Sequence, residues 1–212
     1  MDSTTTAYLL KFSIIFLLFI SSSSSPPPSS TLSSSTFTAA ATKSPNSIYK
    51  KYLKTACNST TYPKICYSSL SSYISIIKTS DLNLCSTALN VSLTVAYNAS
   101  SLVTLLSNRT GLSKAEAAVI KDCVEQIGDT IDELKQSFDA FGSLYLNNSD
   151  IRFQISNIQT WVSAALTNED TCSDGVDETK VSSSVKNMLK KSMLNVARIT
   201  SNALALINKL SL

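Results

Sequence analysis

Histidine is missing from all 212 residues. That absence removes His-based nucleophile triads, the His general base and imidazole metal ligands together. Glycine is nearly as scarce. The four glycines (Gly111, Gly128, Gly142 and Gly175) stand far apart, so no glycine-rich loop can cradle a phosphate. Of five prolines, three are consecutive at positions 26–28. So few breakers over so long a chain argue for helix nearly throughout. Charge is sparse as well. Only 16% of residues are Asp, Glu, Lys or Arg, and the formal net charge is +3. With Lys and Arg scattered along the chain, no nucleic-acid partner is expected. Carboxylate-pair catalysis stays open on composition alone, but nothing else in the sequence supports it. The chain is therefore expected to be no enzyme, with no catalytic residues, no cofactor and no metal.

What is present begins with an apolar run, Phe12 to Ile20, after Lys11. It falls short of the roughly 20 residues that span a bilayer and suits a signal peptide core. A signal peptide over 1–24 is expected, with a signal anchor as the alternative and no membrane association once the peptide is removed. Residues 25–45 are Ser, Thr, Pro and Ala with almost no large apolar side chain, a composition that reads as a flexible linker. The remaining 46–212 is long enough for one domain with a real core. Secretion also gives meaning to five sequons, at Asn58, Asn90, Asn98, Asn108 and Asn147.

The strongest periodic stretch is Ser113 to Phe141. Ile120, Val124, Ile127, Ile131, Leu134, Phe138 and Phe141 recur at steps of four and three, an unbroken helical stripe. Ser113 and Glu116 make a capping box, and Gly142 supplies a stop. Glu125, Asp129 and Asp132 form an acidic stripe beside the apolar one. Before this helix, a short helix over 46–56, a turn over 58–63 and a second helix over 64–78 are predicted. A long helix over 82–108 follows, with Cys85 in its seam. After Phe141, the pattern predicts a helix over 150–168, a polar loop over 173–181 and a last helix over 182–212. Its seam is broken only at Ser192. Four long amphipathic helices on short loops imply an all-α, up-down-up-down four-helix bundle, with the N-terminal helical hairpin packed against it.

The cysteines fit that layout. Cys57 and Cys66 bracket the hairpin turn, nine residues apart, as a clamp would. Cys123 lies about 27 Å along its helix from Phe141, and Cys172 about 30 Å from Arg152, at 1.5 Å per residue. In antiparallel neighbours those points are nearly level, so a Cys123–Cys172 bridge is geometrically natural. Cys85 is left over, as a buried thiol or as a half of an intermolecular disulfide.

Four features now point to a family: the Cys57/Cys66 pair, the Asp122-Cys123-Val124-Glu125 segment, the string from Thr160-Trp-Val-Ser-Ala-Ala-Leu-Thr to Asp170-Thr-Cys172, and the capped bundle around them. They resemble the plant invertase and pectin methylesterase inhibitor family over residues 46–212, and its pectin methylesterase branch in particular. The resemblance implies the same bundle with the same two disulfides. It implies a secreted protein of the plant apoplast and cell wall that inhibits pectin methylesterase. Such a protein forms a one-to-one complex that covers the cleft holding the polygalacturonate chain. By position from Cys123 and Cys172, it implies Glu125, Asp129, Asp132 and Thr171 as target-binding residues; a solvated helix face is the plainer alternative. Thr167 stands where the family often has an acidic residue. The rival reading is an inhibitor of acid invertase. Invertase-type members carry Asp-Pro-Lys-Phe where this chain has Asp150-Ile-Arg-Phe153, so the missing proline favours the first reading. A secreted bundle for a small apolar ligand ranks last, because the seams are well filled.

Overall fold

The computed structural model describes residues 44–144 and 150–210. The expected signal peptide, residues 25–43 of the expected linker, and the sequon at Asn147 lie outside them. Four long helices make the bundle: α4 (Asp81–Ser107), α5 (Lys114–Gly142), α6 (Ile151–Glu178) and α7 (Ser183–Ile207). α1 (Pro45–Cys57), α2 (Pro63–Leu70) and α3 (Ile74–Ile77) precede them. No strand occurs among the described residues. α5 packs most extensively on α6, and the pairs α4–α5, α4–α7 and α6–α7 close the ring. Short connections make the neighbours antiparallel, so α5 and α7 face opposite sides of the bundle.

Each long helix starts on a side-chain cap. Ser80, Ser113 and Ser182 accept hydrogen bonds from the backbone N–H of Asn83, Glu116 and Val185, and Asp150 accepts from that of Arg152. Glu116 does more than complete the capping box. Its Oε2 accepts from the Ser113 N–H (2.9 Å) and its Oε1 from the Ser182 N–H (3.0 Å), which ties the start of α5 to the start of α7. These hydrogen bonds, those from Ser182 foremost, hold its carboxyl down at about 2.

The second helix of the hairpin is not continuous over 64–78. It breaks after Leu70 into a 3₁₀ turn over Ser71–Tyr73 and the single turn α3. The hydroxyls of Ser68, Ser69 and Ser71 each donate to a carbonyl three residues back, which tightens the chain and competes with regular helix bonding. α3 stops at Lys78, whose φ of 53° is left-handed.

Two seams also differ from the apolar pattern. On α5 the fully buried line runs through Ile120, Cys123, Ile127, Thr130, Leu134, Ser137 and Phe141, while Val124, Ile131 and Phe138 flank it half-buried. The small polar members can enter because their hydroxyls find carbonyls. Thr130 donates to Ala165 of α6 (3.3 Å) and Ser137 to Glu133 (2.9 Å). On α7 the place assigned to Ser192 is filled by Met193, which is buried. α7 itself ends at Ile207, short of 212.

α6 runs ten residues past Asn168, so Cys172 lies inside the helix and not beyond its end. Its seam continues through Ala165, Glu169, Cys172 and Val176, at steps of four, three and four. Glu169 interrupts the apolar spacing at this point, so the helix extends beyond the end that the spacing predicts.

Disulfides join Cys57 to Cys66, linking α1 to α2 (Cα–Cα 5.5 Å), and Cys123 to Cys172, linking α5 to α6 (Cα–Cα 4.9 Å). The hairpin turn is also locked to α7 by one buried amide. The Tyr62 N–H donates to Asn202 Oδ1 (2.8 Å), and Asn202 Nδ2 donates to the Tyr62 carbonyl (3.1 Å). Asn202→Leu leaves the Tyr62 N–H unpaired, while the Tyr62 carbonyl keeps the Cys66 N–H (2.9 Å), and is expected to lower stability by about 2 kcal/mol. Urea unfolding of the variant checks this; an unchanged midpoint would show that the turn does not need the clamp.

Candidate target-binding face

α5 positions the acidic stripe. Its buried line faces α4 and α6, so the positions at 122, 125, 129, 132 and 139, three to four apart and one further turn on, come to lie outward. Glu125, Asp129 and Asp132 are all exposed, and Asp122 and Asp139 extend the same row. Both extensions were readable from spacing alone. Lys121 pairs with Glu125 (3.6 Å) and Lys135 with Asp139, on exposed side chains where such pairs contribute little. Asp129 and Asp132 have no cationic partner among the described residues, so this stretch presents bare negative charge.

Thr171 is exposed on α6, beside the bridge cysteine. The Cys123–Cys172 bridge and the Thr130–Ala165 hydrogen bond keep one antiparallel register between α5 and α6. That register sets Thr171 level with Val124 and Asp129 level with Leu166. The Thr171 hydroxyl donates to the Thr167 carbonyl one turn back (2.8 Å), which leaves its lone pairs to a partner.

Sequence reasoning passed over Glu133. It is half-buried beside the stripe, and its Oε2 accepts from Asn168 Nδ2 of α6 (3.0 Å). Burial first, then the charges of Asp129 and Asp132, raise its carboxyl above the ordinary range. A second unforeseen acid, Glu169, is 1% exposed inside the bundle. Thr200 Oγ1 donates to its Oε1 (3.2 Å), while Oε2 has no hydrogen-bond partner among the described residues. Burial pushes this carboxyl up to about 9, with Asp170 adding slightly and the Thr200 hydroxyl opposing.

Cys85 is the free cysteine, buried beside a cavity of about 220 Å³ where α1, α4 and α7 meet. Burial, with Asp81 adding, pushes its thiol up to about 12, so it is a packing group and a poor nucleophile. The sequons at Asn58, Asn90, Asn98 and Asn108 all have exposed asparagines. No group of three or more His, Cys, Asp or Glu is placed to hold a metal among the described residues.

The helices make a capped bundle with a filled seam, and α5 presents a bare acidic stripe on it. The chain belongs to the plant invertase/pectin methylesterase inhibitor family, whose model matches residues 51–206. It is 44% identical over 158 residues to pectinesterase inhibitor 10 of Arabidopsis thaliana. That match takes in 74% of this chain and 50% of the relative, so the chain spans about half that protein's length. It is 40% identical over 171 residues to the 21 kDa protein of Daucus carota, covering 80% of this chain and 87% of the other. Among solved structures, it is similar to a mutant form of a pectin methylesterase inhibitor from Arabidopsis. The TM-score is 0.61, over 75% of this chain and 97% of that one, at 20% identity, a likeness of fold.

Proposed function

We propose that this protein is a secreted inhibitor of a plant pectin methylesterase, acting in the apoplast and cell wall and carrying glycans on its exposed sequons. It binds the enzyme one to one and covers the cleft that holds the polyuronate chain. The face that does so is made by α5 and α6, with Glu125, Asp129, Asp132 and Thr171 in contact. One observation supports the geometry: the Cys123–Cys172 bridge sets Thr171 level with Val124, next to Glu125, and the bare Asp129 and Asp132 follow within two to three turns along α5. The name of pectinesterase inhibitor 10 supports the choice of target. Titration of the purified protein against a pectin methylesterase and an acid invertase, side by side, tests the reading. Loss of esterase activity at one equivalent, with invertase untouched, is expected. The opposite selectivity would favour the invertase reading and the start of α6 at Asp150-Ile-Arg-Phe153, where Phe153 is 64% exposed.

pH dependence follows from the same face. With no histidine, the inhibitor's own sensing groups must be carboxyls. Glu125, Asp129 and Asp132 would be desolvated together in the complex, and Glu133 is already raised in the free protein. A carboxyl that binds best protonated has its pKa raised in the complex. Binding is then tightest at low pH and is lost as pH rises through the bound-state pKa. Dissociation constants from pH 5 to 8 are expected to show a flattened profile for at least one of Glu125→Gln, Asp129→Asn, Asp132→Asn and Glu133→Gln. Four wild-type slopes would place the sensing groups on the enzyme.

A further inference from the structure

The small net charge hides a strong division. Thirteen of the fifteen acidic residues lie between Lys114 and Glu178, the span of α5 and α6, with only four basic ones. α7 has no acidic residue and carries Lys186, Lys190, Lys191 and Arg198. The described residues before Lys114 and after Glu178 hold twelve basic residues against Asp81 alone. α5 packs on α6, while α7 touches α1 and α2, so one side of the molecule is acidic and the other basic.

Two grooves flank α7 on the basic side. One, of about 590 Å³, lies between α4 and α7 and is lined by Leu102, Met188, Lys191, Leu194, Asn195 and Arg198, among others. The second, of about 680 Å³, lies between α6 and α7 and shares Lys191 and Leu194 with the first. Asp177 of α6 pairs with Lys186 (2.9 Å) and with Lys190. Lys191 and Arg198 have no anionic partner among the described residues. Arg198 is held in place all the same. Its guanidinium lies 5.6 Å from the centre of the Tyr62 ring, and its buried Nε has no hydrogen-bond partner among the described residues. With Nε buried and the guanidinium held over the Tyr62 ring, the terminal N–H groups are what Arg198 can offer to a carboxylate.

We infer that the α4–α7 groove, with Arg198 and Lys191 at its cations, binds an acidic polysaccharide, a chain of sugar rings that carry carboxylates. The lining matches each part of such a ligand. The cations take carboxylates, Asn195 takes hydroxyls, and Leu102, Met188 and Leu194 take the C–H faces of the rings. α7 has no aromatic residue on which nucleic-acid bases could stack or with which a bilayer interface could be entered. The site faces away from α5, so it is independent of the target-binding reading and is assayed without any enzyme.

Calorimetry of the purified protein with de-esterified oligogalacturonate at low salt is expected to show binding that weakens as salt is raised. The fully methyl-esterified oligomer is expected not to bind. Arg198→Gln and Lys191→Gln should each weaken binding about tenfold, the loss of one charge-assisted contact. Arg198→Lys, which keeps the charge and loses the fork, should fall between. Lys135→Gln, which removes a charge of the same sign from exposed α5 across the bundle, should leave binding unchanged. Lys191 is exposed, so its variant carries the test if Arg198→Gln fails to fold. Absence of wild-type binding, wild-type affinity in the Lys191 variant, or equal affinity for single-stranded DNA or anionic vesicles would overturn the inference.

Discussion

Replacing Cys123 and Cys172 by Ser is expected to lower the unfolding free energy by about 4 kcal/mol, the largest effect of any change considered. The bridge spans 49 residues of sequence and joins α5 to α6 inside the best-packed helix pair. Without it, the unfolded chain regains the freedom of a long loop. Both cysteines are buried, so the serines also place hydroxyls in the core. The Cys57–Cys66 bridge spans only nine residues, and its removal should cost roughly 1.4 kcal/mol less in the same chain-entropy terms. Thermal midpoints of the two double mutants test the ranking. An equal or larger loss from the hairpin bridge would show that loop length does not set the order.

The second large effect belongs to Glu169. Its folded pKa, about 9, lies above the ordinary carboxyl value of 4.5. Below pH 4.5 both folded and unfolded chains hold the proton, and the folded state carries no penalty. As pH rises toward 9, the unfolded chain releases the proton and the folded chain keeps it, so stability falls. Between pH 5 and pH 8 this loss is on the order of 3 kcal/mol. Glu169→Gln has no proton to lose. It is expected to leave stability at pH 5 little changed, to raise it at pH 8, and to remove most of the slope between. Glu133, raised in the same direction, supplies part of what remains. Urea unfolding at both pH values reads the difference. A wild-type slope in the variant would mean that the Glu169 carboxylate is solvated in the folded state.

Glu169 also marks where sequence reasoning stopped. Hydrophobic spacing assigns polar side chains to the surface, so the spacing carries the helix only to Asn168. The partner that admits this glutamate, Thr200, is 31 residues away, and the one that uses Asn202 is 140 away. The same blindness exchanged Val124, Ile131 and Phe138 for Cys123, Thr130 and Ser137 on α5. On the candidate face, the stripe itself was legible, because residues three and four apart must share one side of a helix. The environment of Glu133 was not, because its burial and its bond to Asn168 depend on how α6 lies against α5.

The sequence by itself determined that four long helices form, the cap at Ser113, the antiparallel order and the level at which Cys123 meets Cys172. All of these follow from local periodicity and a fixed rise per residue. It also held the division of charge, since most acids fall between Lys114 and Glu178. Only the tertiary structure decided that this division becomes two sides of one molecule. It placed α6 beside α5 and α7 diagonally across from it, drew the hairpin onto α7 through Asn202, and left Arg198 lying on Tyr62 with an unused N–H. Contacts between residues far apart in the chain carry those outcomes, and no local pattern records them.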